Sequence, residues 1–173
     1  LEKELEKAGK TARKNAEALS KARKKAAKEL QTRVREELGQ LDMPKVRFET
    51  EFLPKPGELA MDETGMDEVQ FLMSANLGED LKPIQKVASG GELARIMLAL
   101  KNVLAEDDGV HSLVFDEVDT GVSGRAAQKV AEKMAQVARH KQVLCVTHLP
   151  QLAAMADTHF RVEKGEDKGR TFT

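Results

Sequence analysis

Ser112-Leu113-Val114-Phe115-Asp116-Glu117 is a short apolar run that closes on two adjacent carboxylates. Such a run reads as a buried strand, here about 112–116. Val143-Leu144-Cys145-Val146-Thr147-His148 repeats the arrangement, an apolar strand over 142–147 closing on a histidine. Helical patterns lie before, between and after these two, at about 90–105, 123–140 and 150–156. A further strand is expected at 158–163. Strands alternating with helices indicate an α/β fold built on a parallel sheet.

Working towards the start of the chain, Val46, Phe48 and Phe52 alternate with Arg47, Glu49 and Glu51, the two-residue period of a strand over about 46–53. Pro54, Pro56 and Gly57 open a loop, Asp67–Met73 reads as a returning strand, and 74–88 as loop. Residues 1–41 lack proline and are rich in Ala, Lys, Glu and Leu, all strong helix formers. Leu1, Leu5, Ala8, Ala12, Asn15 and Leu19 follow alternating steps of four and three, continued by Ala22 and Ala26, which is a coiled-coil seam. Leu30, Val34 and Leu38 then step by four, the break expected where a coiled coil enters a globular body. Pro44 ends the helix. The division is therefore 1–43 as an arm and 44–173 as a globular part. Leu1 falls inside a helical pattern already under way and Thr171-Phe172-Thr173 reads as a β segment, so the chain is expected to be a piece of a longer protein.

Composition narrows the function. The 173 residues carry 28 Lys and Arg against 29 Asp and Glu, a formal net charge of −1, which excludes a uniformly basic nucleic-acid binder. Charge is uneven, however: residues 1–41 hold 12 basic against 7 acidic side chains. Trp and Tyr are absent, so base-stacking on aromatic side chains is not expected. No apolar run reaches the roughly 18 residues of a membrane span. Cys145, the single cysteine, fits a reducing cytosol.

Asp116-Glu117 stands at the carboxyl end of its strand, where α/β sheets bind ligands. In nucleotide hydrolases this is the Walker B arrangement: the first acid holds Mg²⁺ and the second deprotonates the attacking water. The plainer reading is a pair of acids capping the next element. Ala88-Ser89-Gly90-Gly91-Glu92-Leu93 opens a helix whose apolar face runs through Ile96, Met97, Leu100, Val103 and Leu104. Two glycines there let backbone N–H groups approach an anion. Ser89 and Glu92 also satisfy an ordinary capping box. His148 lies at a strand end where it would reach a γ-phosphate, although a lone histidine is more often structural. His111, His140 and His159 read as surface residues.

Taken in order, Ser-Gly-Gly-Glu, Asp-Glu and His resemble the signature motif, Walker B and switch histidine of an ABC-type ATPase head, with Asp119 at the D-loop position. Lys86 to Lys101, Val114 to Gly124 and Thr147 to Ala154 narrow the resemblance to the RecN family of SMC-like bacterial DNA-repair proteins, as does Phe71-Leu72-Met73-Ser74-Ala75-Asn76. The resemblance implies the C-terminal lobe of an ABC/SMC-type P-loop ATPase head, preceded by one long coiled-coil helix, the returning arm of an antiparallel pair. It implies ATP and Mg²⁺ as ligands, with Asp116 on the metal and Glu117 and His148 in catalysis. Ser89, Gly90, Gly91, Glu92 and Asp119 would contact nucleotide, the signature residues that of a second head in a homodimer. The expected setting is double-strand-break repair in the cytoplasm, on the nucleoid.

No G-x-x-x-x-G-K-[ST] phosphate loop occurs. Gly165 to Thr171 approaches it but is one residue short between glycines and has Arg for Lys, and reads as a hairpin turn. In the family the phosphate loop precedes the coiled coil, so an N-terminal half is an expected partner and this chain alone is expected to be inactive. DNA is a further expected partner, bound without sequence preference through Lys21, Arg23, Lys24, Lys25 and Lys28. The plainer reading makes those cations the solvated face of the arm. Two other classes share part of the pattern: a transporter nucleotide-binding subunit, which does not explain the arm, and a non-hydrolysing coiled-coil scaffold.

Overall fold

The structure is a computed structural model that describes residues 2–74, 78–86, 90–104, 109–163, 165–167 and 170–172. Helix α1 (Glu2–Gln40) runs 39 residues without interruption. Its end is a left-handed cap: Asp42 takes φ 62°, and the Met43 N–H donates back to the Leu38 carbonyl at 2.9 Å. Aspartate tolerates that conformation better than most residues, and Pro44 then prevents any continuation. The N-terminal seam is bare, with Leu5 three-quarters exposed. The C-terminal third is not: Val34 and Leu38 are fully buried in the same core as Phe48, Met73, Ile96 and Leu98.

Strands β1 (Arg47–Pro54) and β2 (Asp67–Ser74) pair antiparallel, Phe48 opposite Met73 and Thr50 opposite Phe71, and the Phe48 and Phe71 rings lie 5.4 Å apart. The stretch expected as loop contains a two-residue strand, β3 (Lys82–Pro83), which pairs with β2, and a 3₁₀ turn (Ile84–Lys86). The hairpin leans on the arm. Ser20 Oγ donates to Asp67 Oδ1 at 2.9 Å, Arg23 donates to the Thr64 carbonyl at 2.9 Å, and the Lys24 ammonium sits 5.7 Å from the centre of the Phe52 ring. Gly65 (φ 97°) lies so close that a side chain there would start 3.0 Å from Leu19.

Helix α2 (Gly90–Val103) leads to β4 (Ser112–Phe115), then α3 (Gly124–Ala138), β5 (Gln142–Cys145) and the single turn α4 (Pro150–Ala153). The strands β4 and β5 are parallel, in the register Ser112 opposite Gln142 to Phe115 opposite Cys145. Inside α2 the buried positions include Arg95, Leu98 and Ala99; Met97 and Leu104, expected on its apolar face, point outward instead. Two buried neighbours of one helix, α1 and α3, widen the covered arc beyond a single stripe.

Alternation is visible in β4: Leu113 and Phe115 are buried, whereas Val114 is 73% exposed. Leu144 and Val146 are exposed too. Apolar runs of this kind belong to strands covered on both faces, and here one face is bare. The strand expected at 158–163 does not form; that segment is irregular, with Phe160 89% exposed. An extended segment needs a neighbouring strand for its backbone groups, and among the described residues none pairs with it. Near its end β6 (Gly165–Asp167) and β7 (Arg170–Phe172) pair antiparallel; residues 168–169, on which the expected turn falls, lie outside the described residues.

Candidate nucleotide-hydrolysis site

The carboxyl ends of β4 and β5 and the amino end of α2 meet at one place. Beyond Phe115, Asp116 Oδ1 accepts the Glu117 N–H at 3.0 Å, a tight local turn that leaves the Asp116 side chain exposed. Glu117 takes φ 58°, in the left-handed region, where a non-glycine residue is strained by about 1–3 kcal/mol. The Thr120 N–H closes the turn on the Glu117 carbonyl at 3.0 Å. Glu117 is thereby bent towards α2, and its carboxylate lies against Gly90, where any β-carbon would collide with Oε2. Negative charge at a helix amino end is favourable.

Gly91 is tighter and differently placed. A β-carbon there would meet the Thr120 carbonyl oxygen at 2.7 Å and the Glu117 carbonyl oxygen at 3.1 Å, both backbone atoms. One helical turn on, the buried Arg95 donates to the Thr120 carbonyl at 2.9 Å and the Val118 carbonyl at 3.4 Å. Burial lowers the Arg95 pKa, opposed by the nearby charge of Glu92. The amino end of α2 is thus clamped to the turn after Glu117 by close glycine packing and by a buried guanidinium.

These two glycines should respond differently to alanine. Gly91→Ala pushes on backbone, and we expect a loss of about 1–3 kcal/mol in denaturant unfolding. Gly90→Ala pushes only on the flexible end of Glu117, so stability should hold within about 0.5 kcal/mol while the carboxylate is displaced. Equal destabilisation by both would show that the Gly90 contact is as rigid as the Gly91 one.

Asp119, only 2% exposed, joins the two strand ends. Its Oδ2 accepts from Thr147 Oγ1 at 2.5 Å and from the His148 N–H at 3.1 Å, and lies 3.2 Å from His148 Nδ1. Burial alone would raise the Asp119 pKa, but the hydrogen bonds from Thr147 and His148 and the adjacent imidazole outweigh it and hold the carboxyl below its usual range. A carboxylate beside Nδ1 favours the proton there, leaving Nε2 as the nitrogen that can meet a ligand. The ring is 73% exposed. Burial together with Asp119 and Asp116 pushes the Cys145 thiol up to about 11, so it stays protonated and is no nucleophile.

Asp116, Glu117, Gly90, Gly91, Asp119 and His148, separated in sequence, thus share one edge of the fold. Glu92 stands half-buried in the first turn of α2. Ser89 lies outside the described residues. His111, His140 and His159 are exposed, as expected. Sequence reasoning missed Arg95 and Thr147. Arg95 carries no distinguishing signal in a helical pattern, whereas Thr147, directly before His148, was a readable neighbour. Among the described residues no three His, Cys, Asp or Glu side chains form a metal-binding group. One exposed carboxylate, Asp116, is nonetheless what Mg²⁺ asks of a protein when phosphates and water supply its other oxygens.

No family model matches the chain. It is 51% identical over 157 residues to the DNA repair protein RecN of Halalkalibacterium halodurans, covering 90% of this chain and 28% of that protein. Against RecN of Bacillus subtilis it is 47% identical over 185 residues, covering 100% of this chain and 32% of that protein. The chain belongs to the RecN family. It spans about a third or less of the length of the relatives it matches. RecN of Deinococcus radiodurans is 44% identical over 90% of this chain.

Solved structures agree on the fold. The Smc head domain with a coiled coil and joint from Pyrococcus yayanosii superposes with a TM-score of 0.56 at 20% identity, covering 87% of this chain and 26% of that one. The Smc head domain with an extended coiled coil from Pyrococcus furiosus, solved bound to the C-terminal domain of ScpA, gives 0.54 at 20% identity over 79% of this chain and 31% of that one. The fold is that of part of an Smc head domain with a length of its coiled coil. Among the described residues no helix is long and apolar enough to cross a membrane.

Proposed function

We propose that this RecN-family chain completes the ATPase head of an SMC-like protein of DNA double-strand-break repair, cytoplasmic and nucleoid-associated. The observation that carries the reading is the gathering of Asp116, Glu117 and the Asp119–His148 pair at the carboxyl ends of two parallel strands, beside the glycine start of α2. ATP is the substrate, and Mg²⁺, when bound, neutralises phosphate charge as it develops. Asp116 holds the metal. Glu117 takes the proton from the water that attacks the γ-phosphate, and His148 offers a hydrogen bond to that phosphate. Asp119 serves the nucleotide from behind, by holding the His148 loop against the turn that follows Glu117.

Gly90, Gly91 and Glu92 at the start of α2, with Ser89 next to them in sequence, meet the nucleotide of a second head, so that ATP joins two heads and hydrolysis releases them. The phosphate loop comes from the N-terminal half of the same protein. That half covers the bare face formed by Val114, Leu144 and Val146, an apolar surface that favours burial at about 25 cal/mol per Å². DNA is bound through the arm.

ATP turnover by this chain alone, and again with the N-terminal half supplied, tests the reading. Activity is expected only in the mixture. Turnover by this chain alone would place the phosphate site elsewhere, and a complex that binds ATP without turning it over would make the head a scaffold.

A further inference from the structure

Eleven of the twelve cations of α1 fall into two groups with different surroundings; the twelfth, Arg13, is exposed and lies outside both. Arg23 is bonded to the Thr64 carbonyl, Lys24 stands over the Phe52 ring, Arg33 donates to the Val103 carbonyl at 2.9 Å and Arg35 to the Phe48 carbonyl at 3.4 Å. These four fasten the arm to the globular part. The second group is exposed: Lys3, Lys7, Lys14, Lys21, Lys25 and Lys28, with Lys10 among them. Among the described residues only Lys10 of this group has an acidic partner, Glu6 at 2.6 Å.

An α-helix turns about 100° per residue, which puts all seven lysines within an arc of about 60°. Up to Lys28 every residue of α1 that falls in that arc is a lysine, and no acid shares it; Glu17 lies just beyond its border. The residues that face the globular core (Ala16, Ser20, Ala27, Val34 and Leu38) centre about 130° away. The coiled-coil seam of Leu5, Ala8, Ala12 and Leu19 lies on roughly the opposite side of the helix. The lysine arc therefore remains outward even when the seam is covered by a partner helix. It extends about 38 Å, at 1.5 Å per residue.

A merely solvated helix face gains by mixing signs, since opposite charges at i,i+4 stabilise by about 0.2–0.5 kcal/mol and like charges cost a similar amount. Lys3–Lys7, Lys10–Lys14 and Lys21–Lys25 are all like-charged i,i+4 neighbours. A long, single-sign, flexible array suits a linear polyanion. About 38 Å is close to one turn of duplex DNA. We infer that the outward lysine arc of α1 is a phosphate-backbone track for duplex DNA, laid along the arm. The inference rests on the DNA-repair reading above and assigns the binding to residues distinct from Arg23 and Lys24.

The test uses the full-length protein and a 40-bp duplex, with binding followed from 50 to 200 mM salt. In the variant K7Q/K14Q/K21Q/K25Q/K28Q the slope of log K against log salt should become shallower by about 0.9 for each phosphate that is no longer neutralised. Three such phosphates give a change of about 3 and a fall in affinity of about tenfold or more at 100 mM salt. Lysine-to-arginine exchange at the same five positions should restore both. DNA-free ATP turnover and helix content should not move, since Gln and Lys have similar helix propensities. R125Q/R139Q, on exposed cations outside the track, should leave the slope unchanged. Wild-type slope and affinity in the five-glutamine variant would overturn the track and leave the DNA reading standing. Failure of the wild-type protein to bind duplex would overturn both; binding to polyglutamate in its place would point to an acidic protein.

Discussion

Glu117→Gln should reduce ATP turnover of the assembled head by about 10²–10⁴-fold, the usual contribution of a general base, while ATP-dependent head association persists. Glutamine keeps the length and shape of the side chain, so the positive-φ turn and the contact with Gly90 survive. What disappears is the ability to accept a proton. Removing a negative charge from beside the expected triphosphate also favours the bound state, because like charges repel strongly where water is partly excluded. ATP binding should therefore hold or tighten as turnover collapses, trapping paired heads. Single-turnover hydrolysis and light scattering in the presence of ATP separate the two readouts. Turnover within twofold of wild type would assign the base to another residue.

The second large effect is expected far from that site. Glu37 on α1 accepts from Lys133 of α3 at 2.9 Å and from Asn102 of α2 at 2.7 Å, and the Glu37 and Lys133 side chains are only 15% and 9% exposed. Three helices thus share one partly buried carboxylate. Deleting one member of such a pair leaves the other charge uncompensated, at a cost of about 3–5 kcal/mol. Glu37→Ala should lower unfolding stability by that amount. Replacing both partners, as in Glu37→Met with Lys133→Met, should recover most of the loss, since apolar isosteres avoid the desolvation penalty. If the double replacement is as unstable as the single one, the carboxylate matters for Asn102 rather than for Lys133.

Much of this molecule is readable from its residues alone. The strand ending in Asp116-Glu117, the strand ending in His148, the helix beginning at Gly90 and the hairpin from Val46 all follow from local period and glycine or proline punctuation. Local signals reach only so far. The expected strand at 158–163 had the right residues but, among the described residues, lacks a neighbour to pair with, and pairing is non-local. Likewise, the outward turn of Met97 and Leu104 depends on which two helices flank α2. The candidate site was legible as a set of residue types only through the order in which Ser-Gly-Gly-Glu, Asp-Glu and His follow one another, because each alone has an ordinary structural reading. Its internal geometry was not: that Asp119 faces inward to Thr147 and His148, and that Arg95 locks the α2 start to the Thr120 turn, depends on the three-dimensional packing of distant segments.

The embedding of the last third of α1 in the core has a mechanical consequence. With Val34 and Leu38 fully buried and Arg33 bonded to the carboxyl end of α2, no swivel separates arm from body. A rotation of the body is transmitted through the arm as through the handle of a rigid tool. Over 39 residues, or about 58 Å, a tilt of about 10° at the base becomes a sweep of about 10 Å at the far end. A tilt of the body by that amount would thus be geared up into a displacement several times larger than the movement at the base of the arm.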